Sequence, residues 1–444
     1  MLRAKGLNYI FHCFAPCLIL FIDDVDTFNF LLSLVISFLI SNQFFSCEYK
    51  ELSFNKIFLI GAYYYLAIFP LFYSLKLFEA TTFNSWDLTQ TSFVVLTSLL
   101  GYLIGVSIFK YFTLHDNSSY IESFSFSHGI GTRDIDGFLI GLVTITNLTL
   151  IVFFSEIRTF FIFSTVITLL IYLKSSKFNY SLRVFFSTLI IFMSTTAIIF
   201  LSTSRSDLIK LVILMGFLYF FLNRRAIDLT KIASVVVILF LGGIFITINR
   251  SNTGLSLENS INVLFQSYEG IIGILMALGD IGIAFDNLIY LVTNTSFDEF
   301  LMGSSLIRPL FFLIPRTIWP GKPLDTQLLI VDERYGALSE FGGGTSQSIT
   351  LVGELYWNLS VFGVFFGFFL IAIIIKNLDR ILFNTRSLTT VYVLAVFSPF
   401  FFIIWRGAYS SELVYTLISI IPVFLTILFH KLLKELPIQN NKEL

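Results

Sequence analysis

Four arginines and one glutamate carry most of the chemistry that this chain's residue types allow. Arg205 sits in Ser-Thr-Ser-Arg-Ser-Asp, Arg250 in Ile-Asn-Arg-Ser-Asn, Arg316 in Ile-Pro-Arg-Thr-Ile-Trp-Pro and Arg406 in Trp-Arg-Gly. A guanidinium is planar and carries five donors, so it suits two-pronged contacts to phosphate oxygens. Lys322, in Trp-Pro-Gly-Lys-Pro, adds a compact charge at a tight turn. Cations pooled at a membrane interface suit a pyrophosphate carried on a lipid tail. They equally suit anionic headgroups, toward which arginines snorkel. Glu354, in Thr-Leu-Val-Gly-Glu-Leu-Tyr-Trp, has the chemistry of a general base or a hydroxyl acceptor. At a helix start it also complements the helix dipole. Asp325, Asp332, Glu333 and Glu340 are loop carboxylates and weaker candidates. Trp319, Tyr335, Tyr356 and Trp357 offer flat faces for a ligand, or the aromatic belt of a membrane protein.

Other chemistries lack their residues. The histidines are His12, His115, His128 and His430, and none falls where the arginines gather. No Asp/Glu/His/Cys group has metal-ligand spacing, so no metal site and no cofactor are expected. No phosphate-binding loop of the nucleotide type and no Ser-His-Asp or Cys-His set can be assembled. Cys13, Cys17 and Cys47 form no disulfide framework. A net charge of −1 argues against a nucleic-acid partner.

The elements that must position these residues are membrane helices. Of 444 residues, 56% are hydrophobic and 54 are Phe. The mean hydropathy is +0.85. That composition predicts an all-α polytopic membrane protein. About twelve apolar segments approach the length needed to cross a bilayer. They lie near 7–22, 28–46, 57–78, 91–114, 137–154, 159–173, 184–202, 207–222, 231–249, 359–376, 389–405 and 412–430. Met1–Ile22 is read as a retained helix, because Asp23-Asp24 follows it and no small-residue cleavage site does.

Lys and Arg set the orientation. Lys50 with Lys56, Lys174 with Lys177 and Arg183, Arg224 with Arg225 and Lys231, and Lys376 with Arg380 and Arg386 all fall on alternate turns. This predicts both termini in the cytoplasm, with Arg205, Arg250 and Arg406 at outer helix mouths against the bias. The chain divides into 1–250 with nine helices, a large outer loop at 251–358, and 359–444 with three helices and a cytoplasmic tail. Within the loop, Gly270–Val292 reads as interfacial or re-entrant. Pro315, Pro320 and Pro323 make a rigid turn, Gly342-Gly343-Gly344 a loose joint, and 324–349 a possible lid.

At these residues the chain resembles the O-antigen and related repeat-unit polymerases, the Wzy family. The pieces are Ser-Arg-Ser at 204–206, Asn-Arg at 249–250, Leu-Ile-Pro-Arg-Thr-Ile-Trp-Pro-Gly-Lys-Pro at 313–323, Thr-Leu-Val-Gly-Glu-Leu-Tyr at 350–356 and Trp-Arg-Gly at 405–407. The central piece is similar to a motif of the enterobacterial common antigen polymerases, with Lys322 where some relatives have Arg. The resemblance implies a metal-independent glycosyltransferase of GT-C-like fold, active on the periplasmic face of the bacterial inner membrane. It would join oligosaccharide repeat units carried on undecaprenyl pyrophosphate. Its partners would be those lipid-linked glycans, membrane lipids and a chain-length-determining co-polymerase. Glu354, Arg316 and Arg250 would then be catalytic, and Arg205, Arg406, Lys322, Trp319, Asp325 and Tyr356 would bind pyrophosphate or sugar. The alternatives are an O-antigen ligase, whose family resembles itself in an outer-loop His that this chain lacks, and a lipid-linked oligosaccharide flippase.

Overall fold

In a computed structural model, the residues described are 25–45, 53–67, 70, 84–115, 209–217, 281–312, 314–336, 347–384, 388–406, 409–414, 416–418 and 420. These residues are helical with turns and hold no strand. The segments predicted at 7–22, 137–154, 159–173, 184–202 and 231–249 lie outside them.

Among the described residues, three helices are long and apolar enough to cross a membrane: Val25–Phe44, Ser85–Phe112 and Leu351–Asn384. They belong to α1 (Val25–Phe45), α3 (Ser85–His115) and α7 (Leu351–Asn384). Between the first two lies α2 (Phe54–Ala62), which runs on into a π turn at Tyr63–Ala67. Residues 281–335 supply α4 (Ile281–Asn294), α5 (Ser304–Ile307) and α6 (Thr326–Tyr335). After α7 come α8 (Leu388–Phe397) and α9 (Phe400–Ile403), divided at Ser398-Pro399, where proline stops the first helix.

The core depends on close approach of α3 and α7. Gly101 and Gly105 lie four apart on one face of α3. A Cβ on Gly101 would overlap the Phe365 carbonyl, and one on Gly105 would meet Phe369 O at 2.6 Å and Ala372 Cβ at 2.8 Å. Small residues at this spacing let helix backbones touch, which is how membrane helices gain packing without a hydrophobic drive between them. The contacts advance together along both helices, so α3 and α7 run in the same direction. Trp405 fills the groove beside them. It is fully buried, donates Nε1–H to the Phe58 carbonyl at 2.8 Å, and packs its ring on Phe58 and Phe368 at 4.6 and 5.4 Å. Gly61 makes the space, since a Cβ there would overlap the Trp405 ring.

Polar groups close the two ends of this bundle. At one end Ser85 donates to Asp26, Asn29 donates to the Ser85 carbonyl at 2.8 Å, and Thr89 donates to Asn29 at 2.8 Å, joining α1 to α3. At the other, the buried Asp379 carboxylate accepts from the Phe54 amide at 2.7 Å and the Asn55 amide at 3.4 Å. It thereby satisfies donors that the first turn of α2 leaves open. Lys56 and Lys376 are buried here as well. The sequence bias assigned both to the same side, and the fold brings their helices together.

α7 is not one rod. Leu359 has φ −144° and ψ 26°, and Ser360 has φ 55° and ψ −153°. The break leaves a short helix over 351–358 and a long one over 361–384. A non-glycine residue at positive φ costs about 1–3 kcal/mol and persists only where packing enforces it. Gly363 is part of that packing, because a Cβ there would come within 2.5 Å of the Leu355 carbonyl. The apolar segment expected from 359 thus begins at the break. The short helix before it belongs to the loop.

Of the segment expected to be interfacial or re-entrant, residues 281–292 are described, and they lie in α4. The segment read as a possible lid is anchored over much of its length. Ile330 and Val331 of α6 pack with Leu291, Ile349 and Trp357, and Asn287 donates to the Ser348 carbonyl at 2.7 Å. α6 ends at Gly336 in left-handed geometry with φ 58°. These contacts tie the described parts of 324–349 to α4 and to the short helix. Gly342–Gly344 lies outside the described residues.

Candidate functional site

The short helix, the loop and a last helical segment that begins at Tyr409 meet at Glu354. Its side chain is fully buried. One carboxylate oxygen accepts from the Ser305 hydroxyl at 3.0 Å and the other from the Tyr409 amide at 2.6 Å. Asn358, one turn further on, donates to the Ser305 hydroxyl at 2.8 Å and to the Glu354 carbonyl at 2.7 Å. The Asn358 Oδ1 is buried and makes no hydrogen bond among the described residues. Leu301 donates its amide to the Trp357 carbonyl at 2.9 Å, which fixes the loop to the end of the short helix. Glu354 therefore joins three chain segments, where a dipole complement would touch only its own helix.

Beside it lies a group of cations. Arg308 opens the 3-10 turn Arg308–Phe311, where Pro309 removes a backbone donor that a helix start does not use. Its Nη1 donates to Asp325 at 2.5 Å, to the Ser410 hydroxyl at 3.0 Å and to the Ser411 hydroxyl at 3.2 Å. Ser411 also donates to Asp325. Asp325 in turn caps α6, accepting from the Gln327 amide at 3.0 Å. The residue types 409–412, Tyr-Ser-Ser-Glu, are used one after another: Tyr409 by Glu354, Ser410 and Ser411 by Arg308, and Glu412 by Lys210 in a 3.0 Å ion pair.

The proline turn follows. Arg316 is exposed, and its two terminal nitrogens donate to the Lys322 and Pro323 carbonyls at 2.7 and 2.9 Å. The Lys322 ammonium bends back to the Phe312 and Ile314 carbonyls at 3.2 and 3.1 Å. Three prolines deprive this stretch of backbone donors, and the two cations supply them to carbonyls left open. Lys322 holds its proton less firmly than an ordinary lysine, through partial burial first and then through Arg308 and Arg316 nearby. Trp319 packs edge-on against Phe311 at 5.4 Å.

The structure thus brings Glu354, Asp325, Arg316, Lys322 and Trp319 into one neighbourhood. Arg205 and Arg250 lie outside the described residues. Arg406 is partly buried, with its amide on the Ile403 carbonyl, and it and Glu412 lie close enough to the Tyr65 hydroxyl to act on it electrostatically. Tyr356 points toward α4, with its hydroxyl on the Val292 carbonyl at 3.5 Å and its ring against Phe300 at 6.0 Å. Arg334 is committed elsewhere, to Asp286 at 3.3 Å and over the Tyr290 ring at 5.0 Å. Sequence reasoning missed Ser305, Asn358, Tyr409, Ser410 and Ser411, and gave Arg308 no role. Their one local signal is polarity inside or next to apolar runs. Among the described residues no group of three or more His, Cys, Asp or Glu side chains is placed to hold a metal ion. Searches of protein families, curated proteins and solved structures find no match to this chain.

Proposed function

We propose that this protein is an O-antigen-type polymerase, joining undecaprenyl-pyrophosphate-linked repeat units at the periplasmic face of the bacterial inner membrane. The observation that carries the reading is the gathering of Arg308, Arg316 and Lys322 on one loop, beside Asp325 and against the Glu354-bearing short helix. The similarity of residues 313–323 and 350–356 to Wzy-family motifs supplies the sugar chemistry. About twelve spans, a GT-C-like arrangement and cytoplasmic termini belong to the same proposal.

In the reaction, a hydroxyl of the acceptor's terminal sugar attacks the anomeric carbon of the lipid-linked donor. The new glycosidic C–O bond forms as the bond to the pyrophosphate oxygen breaks. Negative charge grows on the leaving pyrophosphate, and fixed cations lower the barrier by meeting that charge where it develops. The acceptor hydroxyl gives up its proton as it attacks, and the departing pyrophosphate, directly or through water, takes it up. Glu354 has both oxygens occupied in this conformation, which suits a positioning role: it holds Ser305, Tyr409 and the short helix in register. Arg316 and Lys322 shape the turn and add charge to it. Deletion of the gene followed by a gel of the surface polysaccharide tests the proposal. A polymerase mutant leaves a single repeat unit on the lipid core. Bare core would indicate a ligase or flippase instead.

A further inference from the structure

The three loop cations are not equivalent. Arg316 spends both terminal nitrogens on the turn's own carbonyls, and Lys322 spends two of its three N–H groups the same way. Arg308 differs. All three of its contacts, to Asp325, Ser410 and Ser411, converge on Nη1. Its Nη2 and Nε make no hydrogen bond among the described residues, and its side chain is 23% exposed. The guanidinium is therefore pinned by one corner and offers its opposite edge. That edge holds two roughly parallel N–H bonds, the geometry that takes two oxygens of one phosphate. Holding the group in place beforehand removes ordering cost from binding.

We propose that Arg308 is the arginine that grips a phosphate group of the lipid-linked diphosphate, through its Nη2–Nε edge, with Ser410, Ser411 and Asp325 as its positioning residues. This rests on the polymerase reading for the identity of the ligand. The assignment of the gripping residue comes from the geometry alone. Asp325 serves as a hinge pin here: it orients the guanidinium while leaving the outer edge free. Arg316, the more exposed arginine, holds the Trp-Pro-Gly-Lys-Pro turn that walls the site.

The test uses the full chain in phosphatidylcholine nanodiscs, titrated with inorganic pyrophosphate. Arg308→Lys is expected to weaken binding about tenfold or more, because a point charge cannot reproduce the two-pronged contact. Arg316→Lys is expected to weaken it less than Arg308→Lys, and Arg334→Lys, paired with Asp286, to leave it unchanged. Ser410→Ala with Ser411→Ala keeps the guanidinium but removes two of its anchors, and should weaken binding about threefold or more at an unchanged melting temperature. If Arg308→Lys fails to fold, this double variant decides the question: wild-type affinity overturns the proposal. So does a wild-type chain that binds no pyrophosphate, or an Arg316→Lys loss larger than that of Arg308→Lys. A second arm replaces part of the phosphatidylcholine with phosphatidylglycerol. If Arg308 governs retention of that lipid but not pyrophosphate affinity, the site is a headgroup site and the diphosphate proposal is overturned. Failure of the wider reading looks different. A chain that binds pyrophosphate through Arg308 yet elongates no glycan refutes the polymerase and keeps the anion site. Elongation that survives Arg308→Lys refutes the assignment of Arg308 alone.

Discussion

The Glu354 carboxylate takes the Tyr409 amide at 2.6 Å across 55 positions of sequence. That bond joins the short helix before the α7 break to the start of the last helical segment. The same carboxylate reaches Ser305 in the loop, so the loop and both helical segments share one buried anchor.

Replacing Glu354 with Ala should leave the Ser305 hydroxyl and the Tyr409 amide buried without an acceptor. Each such group costs about 1–3 kcal/mol. Glu354→Gln keeps the shape and one acceptor oxygen and should lose less. Thermal unfolding of both variants in detergent checks this. Equal melting temperatures for wild type and Glu354→Ala would remove the anchoring role.

Gly61→Ala places a methyl group against the Trp405 ring, whose indole N–H is committed to Phe58. Overpacking of this kind costs about 1–3 kcal/mol. The expected result is a lower melting temperature and partial rescue by Trp405→Phe, which loses a hydrogen bond worth about 1 kcal/mol but frees space. Additive losses in the double variant would show that the two residues do not share the groove.

Gly105→Leu should separate α3 from α7, because the carbonyl of Phe369 lies where the new side chain begins. A monodisperse wild type and an aggregated or poorly inserted variant on size exclusion are expected. Leu103→Ala, on the same helix, serves as the comparison and should stay monodisperse.

Some of this was legible in the sequence, and the reason differs by residue. Pro315, Pro320 and Pro323 announced the turn, because proline acts locally whatever the tertiary context. Trp319, read as a flat face for a ligand or the aromatic belt, packs on Phe311 within the loop. Reading Lys322 as a compact charge at the turn did not foresee that prolines leave carbonyls in want of donors, which draws the ammonium back to Phe312 and Ile314. The break at Leu359–Ser360 carries no glycine or proline of its own. It is imposed by Leu355 lying across Gly363 and Gly367. Gly101 and Gly105 are visible as a small-residue pair, but nothing in the spacing names α7 as their partner. Ser305, Glu354 and Tyr409 are joined across 49 and 55 positions, and no local pattern encodes such a junction.

Orientation offers a further test. Single cysteines at 318 and 335, both exposed, should react with a membrane-impermeant maleimide in intact spheroplasts. A cysteine at 381, on the opposite end of α7, should react only after the membrane is opened. Labelling of 381 in intact cells together with protection of 318 and 335 would put the Arg308–Glu354 site in the cytoplasm and end the periplasmic reading.

The most direct measurement is chain growth in a purified system. The protein is reconstituted alone into proteoliposomes, supplied with undecaprenyl-pyrophosphate-linked repeat units on the outer-face side, and its glycans are resolved on a gel. A ladder of joined units, lost with Arg308→Lys and retained with Arg334→Lys, is the predicted result. Repeat units that stay single with the wild-type protein, while remaining substrates for a known polymerase in the same vesicles, would contradict the account.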